Sequence, residues 1–190
     1  MSVERSNELP PGTVKDALAT YGRIQRTRVE ALYNLHRAVF AESLVATLLP
    51  NAQLSPDPAH EFDITWHTTG FNIRIEVKCS GEYLPRYGID HRSPAEWNFP
   101  IQKRVWDYNS RKHALNTDYR FDVLILARHV GEALEAGWTF YVLNAVQAGE
   151  FGGRATKRTV QKLKSVSPVY LATAVRDAHS RLLALDSSAP

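Results

Sequence analysis

Residues 62–79 read FDITWHTTGFNIRIEVKC, and how this stretch pairs with itself decides the fold. Phe62, Ile64 and Trp66 are apolar and alternate with Asp63, Thr65 and His67. Beyond Thr68-Thr69-Gly70 the alternation resumes, with Phe71, Ile73, Ile75, Val77 and Cys79 apolar and Asn72, Arg74, Glu76, Lys78 and Ser80 polar. A period of two on either side of a Gly-containing turn predicts two half-buried strands joined as a hairpin. If the turn centres on Thr69-Gly70, paired residues have numbers summing to 139. Phe62 then faces Val77, Ile64 faces Ile75 and Trp66 faces Ile73, which puts Ile64, Trp66 and Ile75 in the core. On the other face Asp63 falls opposite Glu76, with Cβ atoms about 4.5–5.5 Å apart, where like charges repel. A divalent cation between the two carboxylates reverses the sign of that interaction, because hard cations take carboxylate oxygens. Lys78 lies on the same face, about 7 Å along the strand from Glu76.

The chain around this hairpin has 190 residues, 44% hydrophobic and 23% charged. That is the length and composition of one ordinary globular domain. No apolar run approaches the roughly 20 residues that span a bilayer, and the N-terminus lacks the apolar core of a signal peptide. A single cysteine leaves neither an internal disulfide nor a cysteine-based zinc site. The expected compartment is the cytoplasm, with no membrane partner. A net charge of +3 says little by itself. From Phe151 to Val175, however, there is no acid, and Arg154, Lys157, Arg158, Lys162 and Lys164 fall within that block. Such a block suits a phosphate backbone or forms a solvated basic face. Lys103, Arg104, Arg111 and Lys112 form a looser basic group around Trp106 and Tyr108.

The expected order of elements is helices, hairpin, further strands and a last helix, in one domain over 13–186 between mobile ends. Thr13 followed by Asp16 resembles a capping box and opens a helix to about Gln25. A second helix runs from about Thr27 to Leu49 and stops at Pro50, and a Pro/Asn/Asp-rich loop leads into the hairpin. After Ser80 comes a long irregular segment, and loops of that length are more often functional than idle. Residues 97–106, WNFPIQKRVW, follow as a strand. Residues 121–127, FDVLILA, read as a buried central strand with 138–143, WTFYVL, beside it. Ser167-Pro168 starts the last helix, with Pro at its first position. This is an α/β pattern with a mixed central sheet flanked by helices.

The second helix carries a further anomaly. Between Ala38 and Pro50 Glu42 is the only charged residue, and Leu35, Val39, Ala46 and Leu49 recur around it at helical spacing. A carboxylate within an apolar stripe needs a buried Arg or a metal ion as partner.

Glu42 on a helix, Asp63 on one strand and Glu76-Val77-Lys78 on the next resemble the PD-(D/E)XK nuclease superfamily, the restriction-endonuclease-like fold. Glu76-Val77-Lys78 matches its (D/E)-X-K element, and Asp63 matches its Asp, although Phe62 stands where the family name has Pro. The resemblance covers roughly Arg28 to Ser80, with Arg120–Val123 and Trp138–Leu143 similar to later core strands of uncharacterised bacterial members. It implies a Mg²⁺-dependent endonuclease acting on DNA in restriction, repair or defence, with Mn²⁺ as a substitute ion. Asp63 and Glu76 would hold the metal, with Glu42 a ligand directly or through water and the Val77 carbonyl a further one. Lys78 would orient or deprotonate the attacking water and offset phosphate charge. The same resemblance leaves two other readings open. One is a nucleic-acid-binding protein that keeps the fold without cutting; the other is a nuclease acting on RNA or branched DNA. Double-strand cutting favours a symmetric homodimer, for which the first helix is a candidate interface.

Other motifs carry less. The seven histidines show no HExxH spacing, Cys79 alternates onto the apolar face, and His67 is a polar strand residue near the turn. Gln102 lies where some superfamily members place an accessory Gln, and the expectation is that it stays outside the site.

Overall fold

The computed structural model describes residues 9–17, 33–56, 62–82, 96–99, 102–107, 112–130 and 136–186. Its centre is the quoted hairpin. Strand β2 (Ile64–Thr68) pairs antiparallel with β3 (Phe71–Glu82) through Ile64↔Ile75, Trp66↔Ile73 and Thr68↔Phe71, each pair summing to 139. Burial of one face fixes this register, because a slip of one residue would turn every apolar side chain to the opposite side. Ile64, Ile73 and Ile75 are fully buried and Trp66 nearly so. Gly70 closes the turn at φ 99°, a left-handed conformation that glycine adopts without a Cβ clash.

The sheet grows outward from this pair. Its order is β1-β2-β3-β7-β8, with β1 (Ala52–Leu54), β7 (Val123–Val130) and β8 (Trp138–Asn144). Every pairing is antiparallel except β3–β7, which is parallel. The sheet is therefore mixed. Strand β7 is buried on both faces, as its unbroken apolar run requires of a central strand. Its link to β8 turns at Gly137, φ 82°, where an added Cβ would fall 2.0 Å from the Val130 carbonyl oxygen.

Two layers cover the sheet. On one face Ile64, Trp66, Ile75, Val77, Ile125 and Phe140 pack against α1 (Tyr33–Leu48), through Phe40, Ala41, Leu44 and Val45. Leu171, Val175 and Ala178 of α4 (Leu171–Asp186) close the same layer. On the other face Leu124, Leu126, Tyr141 and Leu143 meet Trp97 of β4 (Glu96–Asn98) and Phe121. Ala145 and Ala148 of α2 (Ala145–Glu150), Ala155 of β9 (Arg154–Thr156) and Val160 of α3 (Lys157–Val160) complete that layer. Strands β4 and β9 pair with each other, as do β5 (Gln102–Asp107) and β6 (Lys112–Tyr119).

Several expectations are corrected. The loop before the hairpin contains the edge strand β1, whose three residues are too few to show a period. Residues 97–106 are two strands in different small sheets, and β6 has no counterpart in the expected order. Phe62 does not face Val77. The Asp63 N–H donates to the Ile75 carbonyl at 3.0 Å, which shifts the ladder, and Phe62 packs into the opposite layer. Near the N-terminus the Asp16 N–H donates to the Gly12 carbonyl at 3.1 Å, so Thr13 lies inside the helical turn rather than capping it. The rest of the first helix to Gln25, the start of the second at Thr27, most of the segment after Ser80 and the two chain ends lie outside the described residues. The last helix begins as expected after Ser167, through a 3₁₀ turn at Pro168–Tyr170. Among the described residues no helix is long and apolar enough to cross a membrane.

Candidate active site

The site forms just before the start of β2, where β3 continues beyond the hairpin along β7. Asp63, just outside β2, turns its carboxylate onto β3, where Oδ2 accepts the Val77 N–H at 2.8 Å. That bond takes the place of a ladder bond and holds Asp63 at the sheet surface. Glu76 is 5% exposed. Lys78, two residues on and therefore on the same face, reaches back so that Nζ lies 2.5 Å from Glu76 Oε1 and 3.9 Å from Asp63 Oδ2. Asp63 and Glu76 thus both approach Lys78, although the ladder that sums to 139 stops at Ile64↔Ile75 and it is the bond from the Val77 N–H that holds Asp63 there. The ammonium of Lys78 approaches both, so part of the charge compensation assigned to a cation is already supplied by the chain.

That compensation is incomplete. Burial first, and then the charge of Asp63, push Glu76 up from an ordinary 4.5 to about 7, against the opposing pull of Lys78 and Arg120. Burial alone would lower Lys78, but the charges of Asp63, Glu76 and Glu42 together hold it above its ordinary value. At neutral pH Lys78 is therefore an ammonium. In that form it can orient a water and stabilise negative charge.

Glu42 is half-buried on α1 between buried Ala41 and Ser43, and its field reaches Lys78. It does not join Asp63 and Glu76 in a cage: among the described residues no three His, Cys, Asp or Glu side chains converge closely enough to hold a metal ion. Val77 gives its N–H to Asp63 and buries its side chain in the α1 layer. Gln102 lies on β5, and its side chain is outside the described residues. Cys79 is half-buried against the core, and His67 Nδ1 lies 2.8 Å from Asn72 Oδ1, so neither belongs to the site.

Two features were not legible in the sequence. Arg74 forks onto Asp122, with Nη2 2.6 Å from Oδ1, while its backbone N–H donates to Oδ2 at 2.8 Å. This pair staples β3 to the start of β7. Arg120, two residues earlier and half-buried, exerts its charge on Glu76.

The basic block is on the site's side of the sheet. Glu76 pairs with Leu124 and Lys78 with Leu126, and those leucines point into the layer that holds β9 and α3. Arg154, Arg158, Lys162 and Lys164 lie along that layer, with Arg158 and Lys162 exposed, and Lys157 opens α3.

No family model matches the sequence, and no curated protein matches it. Among solved structures, a bacterial homing endonuclease, I-Ssp6803I, is similar to this chain with a TM-score of 0.44 and 13% identity, over 82% of this chain and 99% of that one.

Proposed function

We propose that the protein is a Mg²⁺-dependent deoxyribonuclease of the restriction-endonuclease-like, PD-(D/E)XK type. The observation that carries this reading is the convergence of Asp63 and Glu76 on Lys78, with Glu76 so buried that its acidity is near neutral. A purely structural strand gains nothing from a half-compensated carboxylate at that depth. The helix acid, strand Asp and Glu-X-Lys order on a mixed sheet supports the same reading.

The donor set fits a hard cation. Asp63 is held in place by the Val77 N–H, Glu76 lacks full charge compensation, and both offer carboxylate oxygens of the kind Mg²⁺ takes. Glu42, set apart on α1, would act through water. The bound ion, Mg²⁺ or Mn²⁺ in its place, would supply Lewis acidity at the phosphate and acidify water. Lys78, an ammonium held by two carboxylates, would orient the nucleophile and offset charge developing on the phosphate. The basic layer beside the site supports DNA as the substrate class, in a restriction, repair or defence context.

Thermal melts of the wild type and Asp63→Asn, with and without Mg²⁺, test this. An Asn carbonyl still accepts the Val77 N–H while removing a charge that opposes ionisation of Glu76. The metal-free variant should therefore be no less stable than the wild type. Mg²⁺ at about 100 times its Kd should stabilise the wild type by about 2.7 kcal/mol and the variant far less. A variant that is strongly destabilised without metal, yet gains as much from Mg²⁺, gives Asp63 a purely structural role and removes the metal site.

A further inference from the structure

Two cations act on Glu76. One is Lys78, in contact; the other is Arg120, just before β7. Residues 119–122 precede β7, and the Arg74–Asp122 pair together with the Arg74 Nη1 bond to the Tyr119 carbonyl holds this segment to the face that carries Arg74, Glu76 and Lys78. Arg120 takes no part in that staple. Asp122 is occupied by Arg74, and Arg74 Nη1 also donates to the Tyr119 carbonyl at 3.3 Å. The Nε of Arg120 is buried and has no hydrogen-bond partner among the described residues.

A buried N–H kept clear of protein acceptors is costly unless something else uses it. A guanidinium presents its donors as a planar fork that matches phosphate oxygens. Resting on the nuclease reading, we propose that Arg120 is the phosphate clamp of this site. Its guanidinium donates to a non-bridging oxygen of the phosphodiester held above Asp63 and Glu76, with Lys78 contacting the same phosphate from the other side. Arg74 cannot take this part, because Asp122 already fills its fork.

The test uses the full chain and two readouts. In metal-free buffer, inorganic phosphate should raise the melting temperature of the wild type in a dose-dependent way and leave Arg120→Ala unmoved. In Mg²⁺-dependent cleavage of duplex DNA, Arg120→Ala should lower kcat by about 10²–10³-fold. Arg120→Lys should recover part of that loss, and free guanidinium ion should partly rescue Arg120→Ala, which a merely structural role would not allow. If Arg120→Ala fails to fold, Arg120→Lys carries the test, since it keeps the charge but not the fork. A variant that responds to phosphate and cleaves as the wild type does overturns the clamp and leaves the nuclease reading standing. A wild type indifferent to phosphate overturns the clamp as well. A wild type that cuts nothing, but whose response to phosphate depends on Arg120, upholds the phosphate contact and removes the nuclease reading.

Discussion

Replacing Glu76 with Gln should change how stability depends on pH, and the size of the change follows from the site. In the folded chain Glu76 titrates at about 7, against 4.5 for an ordinary glutamate. Between those values the native state holds a proton that the unfolded state has released, so stability falls as pH rises. At about 1.4 kcal/mol per pKa unit, the ionised form costs the fold about 3 kcal/mol once pH is above the folded value. From about pH 5 to about pH 8 the wild type should lose roughly 2–3 kcal/mol of this kind. Glu76→Gln loses none of it, because the amide does not titrate. The variant also deprives Lys78 of its nearest partner. Lys78 stays charged across this window, so that penalty is a constant offset, and the other carboxylates cancel in the comparison. The stability gap between variant and wild type should thus shift in the variant's favour by roughly 2–3 kcal/mol. For a domain of this size that is about 5–10 °C in Tm. Melts in chelator at a series of pH values measure it. Parallel pH curves for the two proteins, or a gap that moves the other way, would refute the assignment of Glu76 as a buried, under-compensated acid.

Asp122→Ala should destabilise the fold by about 2–3 kcal/mol in urea denaturation, because it strands the Arg74 guanidinium and the Arg74 N–H together. A drop under about 0.5 kcal/mol would make the pair an ordinary surface ion pair. Reversing Arg158 and Lys162 to Glu should weaken binding to duplex DNA and flatten its salt dependence by about 0.9 in log–log slope for each phosphate left unneutralised. An unchanged slope means that the block is only solvated surface.

The hairpin was legible in the sequence because one of its faces is buried. The register that sums to 139 buries Ile64, Trp66, Ile73 and Ile75 together and carries Asp63 to the edge of the site, where its carboxylate takes the Val77 N–H. Strand β7 was legible for a different reason, since an unbroken apolar run between polar turns fits only a central strand. Strand β1 was not, being three residues long with its middle residue exposed. Strand β6 reads KHALNTDY, without the clean alternation that marks a half-buried strand. At the site, the alternation placed Lys78 on the correct face but could not show that its side chain folds back onto Glu76. That rotamer ties the Lys78 ammonium to both carboxylates. Arg120 was invisible because Arg74, from across some forty intervening residues, holds the segment 119–122 to the site's face. The shift at Asp63 was also hidden, since it depends on a side chain capturing a backbone N–H.

The most direct measurement is single-turnover cleavage of labelled DNA by the wild type, Glu76→Ala and Asp63→Ala. Linear duplex, single-stranded and branched substrates would each be run in Mg²⁺, in Mn²⁺ and in chelator, with binding measured in parallel. The wild type should cut at least the duplex, only when a divalent cation is present, and each variant should bind DNA while cutting none of it. Cleavage that survives in chelator, or that persists in Glu76→Ala, would contradict a metal-dependent site built on these carboxylates.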